Sequence, residues 1–259
     1  MLQVSPVRAF ADNYIWLIHA LRDAATVIAV DPGDAAPVRT ALADRGLKLA
    51  AVFATHHHPD HVGGAAALSE SFNAPIFGPA HESIPAIKRK LSEGDQVDLP
   101  ELGLHFTVLD IPGHTSGHIA FVGHDAVFCG DTLFSAGCGR VFEGTPEQML
   151  ASLDKLKALP PRTRIFCGHE YTLSNLRFAK AVEPDNAAVD RHIEKCNELR
   201  SRNEPTLPST IELEHAINPF LRCDVESVKQ AAEAHTGRKL HSPVDIFAVH
   251  REWKNGFKS

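Results

Sequence analysis

No apolar run in this chain approaches the ~18 residues needed to cross a bilayer, so a membrane-spanning role is excluded at the outset. The first residues, Met1-Leu2-Gln3-Val4-Ser5-Pro6-Val7-Arg8, lack the charged start and apolar stretch of a secretory signal. They also lack the Arg/Ser-rich character of a mitochondrial leader. Five cysteines, Cys129, Cys138, Cys167, Cys196 and Cys223, form an odd set without a Cys-x-x-Cys pair, which argues against a disulfide framework and for a reduced, cytoplasmic setting. Basic residues are in the minority, 26 Lys+Arg against 32 Asp+Glu, for a net charge of -6, so a general nucleic-acid binder with a basic face is disfavoured. A local basic patch can still draw in a small anionic substrate. There is no Gly-x-Ser-x-Gly nucleophile elbow, and no cysteine sits near a histidine in a nucleophile-like arrangement except Cys167 near His169.

What the chain does have is Thr55-His56-His57-His58-Pro59-Asp60-His61, four histidines and an aspartate in one short turn. Clustered imidazoles are costly to bury and repel one another once protonated, unless a metal ion organises them. The apolar run 49–54 before the cluster reads as a buried strand and 62–68 after it as the opening of a helix. In an extended segment His56 and His58 face the same way and can grip one ion. Past the turn forced by Pro59, Asp60 and His61 can grip another.

Further candidates recur in one pattern, a polar ligand type at the C-terminal end of an apolar strand, flanked by glycine. His114 lies in Pro112-Gly113-His114-Thr115-Ser116-Gly117-His118, Asp131 follows 126–130, and His169 follows 164–168. Apolar runs at 2–7, 14–19, 26–30, 49–54, 104–111, 119–122, 126–129 and 164–167 read as strands with helical patterns between several of them, which implies layered α/β packing. After Tyr171 the character changes, and 173–182, 186–202, 225–235 and 242–253 read as helices. A 259-residue chain with 44% hydrophobic content can bury one large core plus a smaller helical unit, which here divides at about residue 171.

The motif Thr55, His56, His58, Asp60, His61 resembles the Thr-His-x-His-x-Asp-His signature of the metallo-β-lactamase superfamily. Within it, the chain is most similar to glyoxalase II, the hydroxyacylglutathione hydrolases. The supporting segments are Asp12-Asn13-Tyr14-Ile15-Trp16, Val30-Asp31-Pro32-Gly33, the loop at His114, Gly130-Asp131-Thr132-Leu133-Phe134, Gly137-Cys138-Gly139-Arg140 and Gly168-His169-Glu170-Tyr171-Thr172. The resemblance implies an αββα sandwich over 1–171 followed by a helical, glutathione-thioester-binding domain over 172–259. It implies two divalent metal ions, zinc first and iron or manganese as options. His56, His58 and His114 would hold the first, Asp60, His61 and His169 the second, and Asp131 would bridge them. His57 and His118 fall in the motifs outside ligand positions and default to local hydrogen bonding. Asp31 resembles the carboxylate that fixes a ligand imidazole's tautomer, although an Asp-Pro-Gly turn also explains an aspartate there.

The activity implied is hydrolysis of S-D-lactoylglutathione and related 2-hydroxyacylglutathiones to glutathione and D-lactate, the second step of methylglyoxal detoxification. Two ions sharing one water would bring its pKa toward ~7 and supply hydroxide to the thioester carbonyl, with no protein nucleophile required. Substrate-binding positions of the family fall on Arg140, Phe142, Tyr171, Arg251 and Lys254. Arg251 and Lys254 are three apart in a helical segment and so can reach one anion. A solvated basic tail running to Lys258 is the bland alternative. Arg140 stands where lysine is often found, and Phe142 replaces a tyrosine hydroxyl, a loss of ~0.5 to 1.5 kcal/mol, or about tenfold in affinity. The family also implies a monomer, with no nucleic-acid or membrane partner. A persulfide dioxygenase of the superfamily would use one iron without needing His169 or so long a helical region. A lactamase or lactonase would lack the cationic set, a tRNA-processing nuclease would need a basic arm, and a structural zinc module would close four ligands, often cysteines, around one ion.

Overall fold

The computed structural model describes residues 1–257, so Lys258 and Ser259 lie outside it. Two six-stranded sheets face each other. The first contains β1 (Val4–Ala9), β2 (Asn13–His19), β3 (Thr26–Val30), β4 (Lys48–Phe53), β5 (Ile76–Pro79) and β6 (Ile87–Leu91), in that order. The second runs β14, β13, β10, β9, β8, β7, built from β7 (Gln96–Leu99), β8 (Leu104–Asp110), β9 (Ile119–Gly123), β10 (Ala126–Gly130), β13 (Arg164–Cys167) and β14 (Ser209–Thr210). A two-stranded ribbon, β11 (Leu133–Phe134) and β12 (Gly137–Cys138), stands between β10 and β13 in the chain. Helices α1 (Ala35–Arg45), α2 (Pro59–Val62), α3 (Ala65–Phe72) and α4 (Pro146–Lys157) fall between strands. After residue 171 come α5 (Thr172–Val182), α6 (Ala187–Ser201), α7 (Ile211–Ile217), α8 (Glu226–Thr236) and α9 (Pro243–Gly256). No helix among the described residues is long and apolar enough to cross a membrane.

The two-residue period of a strand sorts side chains between layers. On β2 and β3, Tyr14, Trp16, Ile18, Ile28 and Val30 join the cluster between the sheets, whereas Ile15, Leu17, Val27 and Ala29 pack with Val38 and Leu42 of α1 and Leu68 of α3. Both faces are therefore apolar, which is why these strands read as unbroken hydrophobic runs. Aromatic rings knit the inner layer. Phe53 stacks on Phe121 at 4.3 Å and meets Phe106 edge-on at 5.5 Å, while Phe166 stacks on Phe128 at 5.0 Å and takes Trp16 edge-on at 5.1 Å.

Strands β3 and β4 are parallel, as are β10 and β13. Parallel pairing puts their C-terminal ends, and the loops that follow, along common edges, the usual location of sites in α/β folds. The two edges are stitched together there. Tyr14 N donates to Gly168 O at 2.8 Å, Trp16 Nε1 to Cys167 O at 2.9 Å, and Ile119 N to Thr55 O at 2.9 Å.

The eight strands expected from apolar runs are present, shifted by up to two residues at their ends. Strands β5, β6 and β7 did not declare themselves. β5 is four residues containing Gly78 and Pro79, and β6 carries Lys88, Arg89 and Lys90 in succession, the charged sequence of an edge strand. The four helices expected after residue 171 are found, but the segment between α6 and α8 is not a bare linker. It contributes β14, which pairs with β13, and then α7.

Helix α7 is anchored by the buried carboxylate of Glu214, which accepts from Ser135 Oγ at 2.9 Å, Ala136 N at 2.7 Å, Asn218 Nδ2 at 2.9 Å and also from Ser209 Oγ. Burial raises its pKa against these four donors. Replacing Glu214 by Ala would leave buried donors unsatisfied at ~1 to 3 kcal/mol each. The expected outcome for Glu214→Ala is a stability loss of about 3 kcal/mol or more, read as a lowered midpoint in urea denaturation.

Candidate metal centre and substrate cavity

Five strand ends deliver the polar cluster. The loop after β4 carries Thr55, His56 and His58, with Pro59 opening α2, which bears Asp60 and His61. Asp31 follows β3, His114 follows β8, Asp131 follows β10 and His169 follows β13. Close approach of backbone is a requirement here. A Cβ on Gly168 would stand 2.5 Å from His61 Cε1 and 2.6 Å from Asp131 Oδ1, and Gly130 has φ +46.

Two groups of donors form. In the first, His56 Nε2 is 3.2 Å and His114 Nε2 is 3.0 Å from His58 Nδ1. In the second, His61 Nε2 and His169 Nε2 are 3.3 Å apart, and Asp60 Oδ2 stands 3.5 Å from each. Asp131 reaches both groups: Oδ1 lies 3.4 Å from His61 Nε2, and Oδ2 lies 3.2 Å from His169 Nε2 and 3.6 Å from His114 Nε2.

The opposite ring nitrogens determine what these approaches mean. His61 Nδ1 donates to Asp31 Oδ2 at 3.1 Å, His169 Nδ1 to Asp12 Oδ1 at 2.8 Å and His114 Nδ1 to the Arg140 carbonyl at 2.8 Å. His56 Nδ1 donates to Thr55 Oγ1 at 3.0 Å, because that hydroxyl spends its own hydrogen on Asp31 Oδ2 at 2.8 Å. In the neutral rings all four Nε2 atoms then present lone pairs to neighbouring ring nitrogens and to carboxylate oxygens. Lone pairs facing at such distances repel unless a cation lies between them. Ligands ~2.0 to 2.1 Å from a tetrahedral ion stand about 3.3 Å apart, close to the separations seen. Asp131 Oδ1 is buried without a hydrogen-bond partner, a further acceptor waiting for a cation. The donor set, imidazole and carboxylate without thiolate, fits divalent ions of the Zn, Fe and Mn type.

Charge is distributed unevenly. Burial holds His56 well below the ordinary imidazole range and lowers His58 and His114, so the first group consists of neutral rings. Burial also opposes protonation of His61 and His169, but Asp131, helped by Asp31 and Asp12, outweighs it and raises both. The same contacts overcome burial of Asp131 and keep its carboxyl well below the usual range. The second group thus calls for positive charge, which a metal supplies in place of protons.

Each residue singled out in the sequence has a definite location. Asp31 fulfils both readings of its position: it occupies the left-handed turn at φ 50, and its carboxylate holds Thr55 N, Thr55 Oγ1 and His61 Nδ1. His118 stacks on His56 at 4.5 Å and its Nε2 accepts from Asp131 N at 3.2 Å. His57 bonds Glu82 at 3.0 Å. Asp12, Asn13 and Thr55 were quoted only as motif residues with no role given, and Glu82 was not picked out. Asn13 Nδ2 donates to Asp60 Oδ2 at 3.0 Å, and Glu82 accepts from Thr115 Oγ1 and Gly117 N beside His114. The motif around Asp12 was the only available signal for that residue, since its partner lies 157 positions away.

A cavity of about 460 Å³ opens from His114 and Asp131 and is lined by Arg140, Phe142, Tyr171, Arg251 and Lys254, bringing together all five residues expected to bind substrate. Tyr171 stacks on His169 at 4.7 Å, and Phe142, 61% exposed, lies 5.3 Å from the His114 ring. Lys254 Nζ donates to Ser174 O at 3.1 Å and Oγ at 3.2 Å, and Arg251 Nη1 donates to the Cys138 carbonyl at 2.7 Å. A larger hollow of about 880 Å³ lies away from the donor cluster, against Glu183, His235 and Trp253. The Glu183 carboxylate there is fully engaged by Arg222, Ser227 and Asn186.

The sandwich and its cluster of histidines and aspartates define a metal-dependent protein of the metallo-β-lactamase superfamily. That family's model matches residues 12–169, and the model of the hydroxyacylglutathione hydrolase C-terminus matches residues 170–257. The chain is similar over its whole length to hydroxyacylglutathione hydrolases of Nitrosomonas eutropha (50% identity, all of both chains) and Albidiferax ferrireducens (54% identity, 99% of this chain and 100% of the relative). Among solved structures it resembles ETHE1 from Myxococcus xanthus, with TM-score 0.65, 24% identity and 98% of each chain covered. It also resembles TTHA1623 in a di-iron-bound form, with TM-score 0.59 and 28% identity over 84% of this chain and 100% of the other. The chain belongs to the hydroxyacylglutathione hydrolases.

Removing a carboxylate that orients a ligand imidazole typically costs 10- to 100-fold in metal affinity. Asp12→Asn is expected to weaken retention of one metal equivalent by about that factor while the fold persists, measured by chelator competition with circular dichroism as the control.

Proposed function

We propose that this protein hydrolyses S-D-lactoylglutathione and related 2-hydroxyacylglutathiones to glutathione and D-lactate. The observation that carries the reading is the adjacency of two three-residue donor groups, joined by Asp131, and a cavity lined by Arg140, Arg251 and Lys254. His56, His58 and His114 would hold one divalent ion and Asp60, His61 and His169 the other, with Asp131 shared between them. Zinc is the preferred occupant on the tetrahedral spacing of the donors, and iron fits the same set. When bound, such a pair supplies Lewis acidity that brings the pKa of water toward ~7 and withdraws charge from a carbonyl oxygen.

The side chains supply the remainder. Water is the nucleophile of choice because the cavity has no activated alternative. Cys138 is buried, which raises its thiol pKa, and Ser174 Oγ is occupied by Lys254. Water adds to the thioester carbonyl, the C–S bond breaks, and glutathione leaves as a thiolate, which needs no general acid. Tyr171, flat against His169, and Phe142, beside His114, wall the two sides of the donor cluster. Glutathione carries two carboxylates, and the cationic wall of Arg140, Arg251 and Lys254 is complementary to them. We assign residues 1–171 to the chemistry and 172–259 to covering the glutathione moiety, a division supported by the origin of Arg251 and Lys254 on α9. A cytoplasmic monomer acting on a small molecule fits these features.

The reading is tested by following thioester loss from S-D-lactoylglutathione before and after chelation and after zinc is restored. Hydrolysis abolished by chelation and rescued by metal is expected. Inactivity of protein shown to carry two metal equivalents would sink the substrate assignment and leave the metal centre standing.

Lys254 adds a pH signature. Burial, then the charges of Arg251, Arg177 and Arg140, push its pKa down to about 8. Its ammonium is therefore present below that pH and lost as pH rises through it. KM for the anionic thioester is expected to climb above pH about 8 in the wild type. Lys254→Arg, whose charge persists, should flatten that rise; an identical KM profile in the variant would remove Lys254 from substrate binding.

A further inference from the structure

His57 belongs to neither inner group, yet it is oriented as their imidazoles are. Its Nδ1 donates at 3.0 Å to Oε2 of Glu82, whose side chain is 1% exposed. Nε2 faces Oε1 of Glu143, 3.3 Å away, and in the neutral ring presents it with a lone pair. Glu143 is itself aimed, because its Oε2 accepts from Ser116 N at 2.8 Å, and that backbone hydrogen bond keeps the carboxyl below its ordinary range. A ring nitrogen of His58 completes a set of three donor atoms lying within 4.8 Å of one another. This is the arrangement at His61 and His169 repeated: a carboxylate on Nδ1, and a carboxylate oxygen about one tetrahedral ligand edge from Nε2. The side chains of His57 and Glu143 are each 34% exposed, against 1% for His61, so this pair faces solvent at the rim.

We propose that His57 and Glu143, with His58 beside them, form a third divalent transition-metal site on the rim of the metal centre, filled after the inner two and released before them. His57 and Glu143 are two outward-facing protein donors, fewer than either inner set offers, so the ion binds more weakly and water completes the shell, while His58, whose Nδ1 faces the inner group, stands beside it. The competing account is a metal-free imidazolium held between Glu82 and Glu143. The two accounts differ in the number of ions bound, so the test is independent of which thioester the enzyme hydrolyses.

Equilibrium dialysis of the full chain against rising zinc concentrations, with the bound metal counted, is expected to yield three equivalents for the wild type and two for Glu143→Gln. Glu143→Ala excludes residual ligation through the amide oxygen and should also bind two. Anomalous diffraction from cobalt-soaked crystals should locate the third ion between His57 and Glu143. Saturation at two equivalents in the wild type, a third equivalent that survives both substitutions, or a third ion located elsewhere would each overturn the proposal.

Discussion

Acceptor facing acceptor is the constraint on which the rest of this molecule depends. Seven nitrogen and oxygen donors converge with separations of 3.0 to 3.6 Å, and four of the five imidazoles already spend the Nδ1 hydrogen on an outer partner. Such an arrangement is unfavourable as protein alone. It persists because the surrounding strands are packed on both faces, and because Asp31, Asp12, Thr55 and the Arg140 carbonyl orient His61, His169, His56 and His114. The stability of the sandwich is thus what holds a site that would otherwise relax, the usual relation between a rigid scaffold and a preorganised centre.

The two halves of the centre differ in electrostatic character, and the difference comes first from the contacts of Asp131 with His61 and His169 and then from the outer partners. Where the partner is a hydroxyl or a carbonyl, as for His56 and His114, burial dominates and the ring is neutral. Where it is a carboxylate, as for His61 and His169, positive charge is favoured. One carboxylate, Asp131, reaches both groups, and its own ionisation is secured by His61 and His169. The centre is therefore not two equivalent pockets.

Most of the first ring of this site was legible because it is local. The crowding of His56, His58, Asp60 and His61 into one turn has no folding rationale, and the glycine-flanked strand ends at Asp131 and His169 repeat one pattern. The cavity-lining cations came only from the family resemblance, since Arg140 and Lys254 look like ordinary surface charges in isolation. The orienting residues were illegible for a physical reason. Asp12 and Glu82 act across 157 and 25 positions, and an acidic residue in a loop carries no mark of the imidazole it will meet. The fold divides the same way: strands buried on both faces announce themselves as apolar runs, whereas the cationic edge strand β6 and the short β14 exist only by pairing with neighbours.

The cationic wall and the metal centre are mechanically one object. Arg251 on α9 donates to the Cys138 carbonyl, at the end of the β11–β12 ribbon. Two residues on, the carbonyl of Arg140 accepts from His114 Nδ1 while the Arg140 side chain lines the cavity of about 460 Å³. Arg251 therefore lines the cavity and also braces the segment that sets the tautomer of His114. Lys254 has no such second duty, since its hydrogen bonds go to Ser174 on α5. Of the two cations on α9, Lys254 is the one whose effects should fall on binding alone. Loss of Arg251 would reach the donor cluster through three residues of backbone.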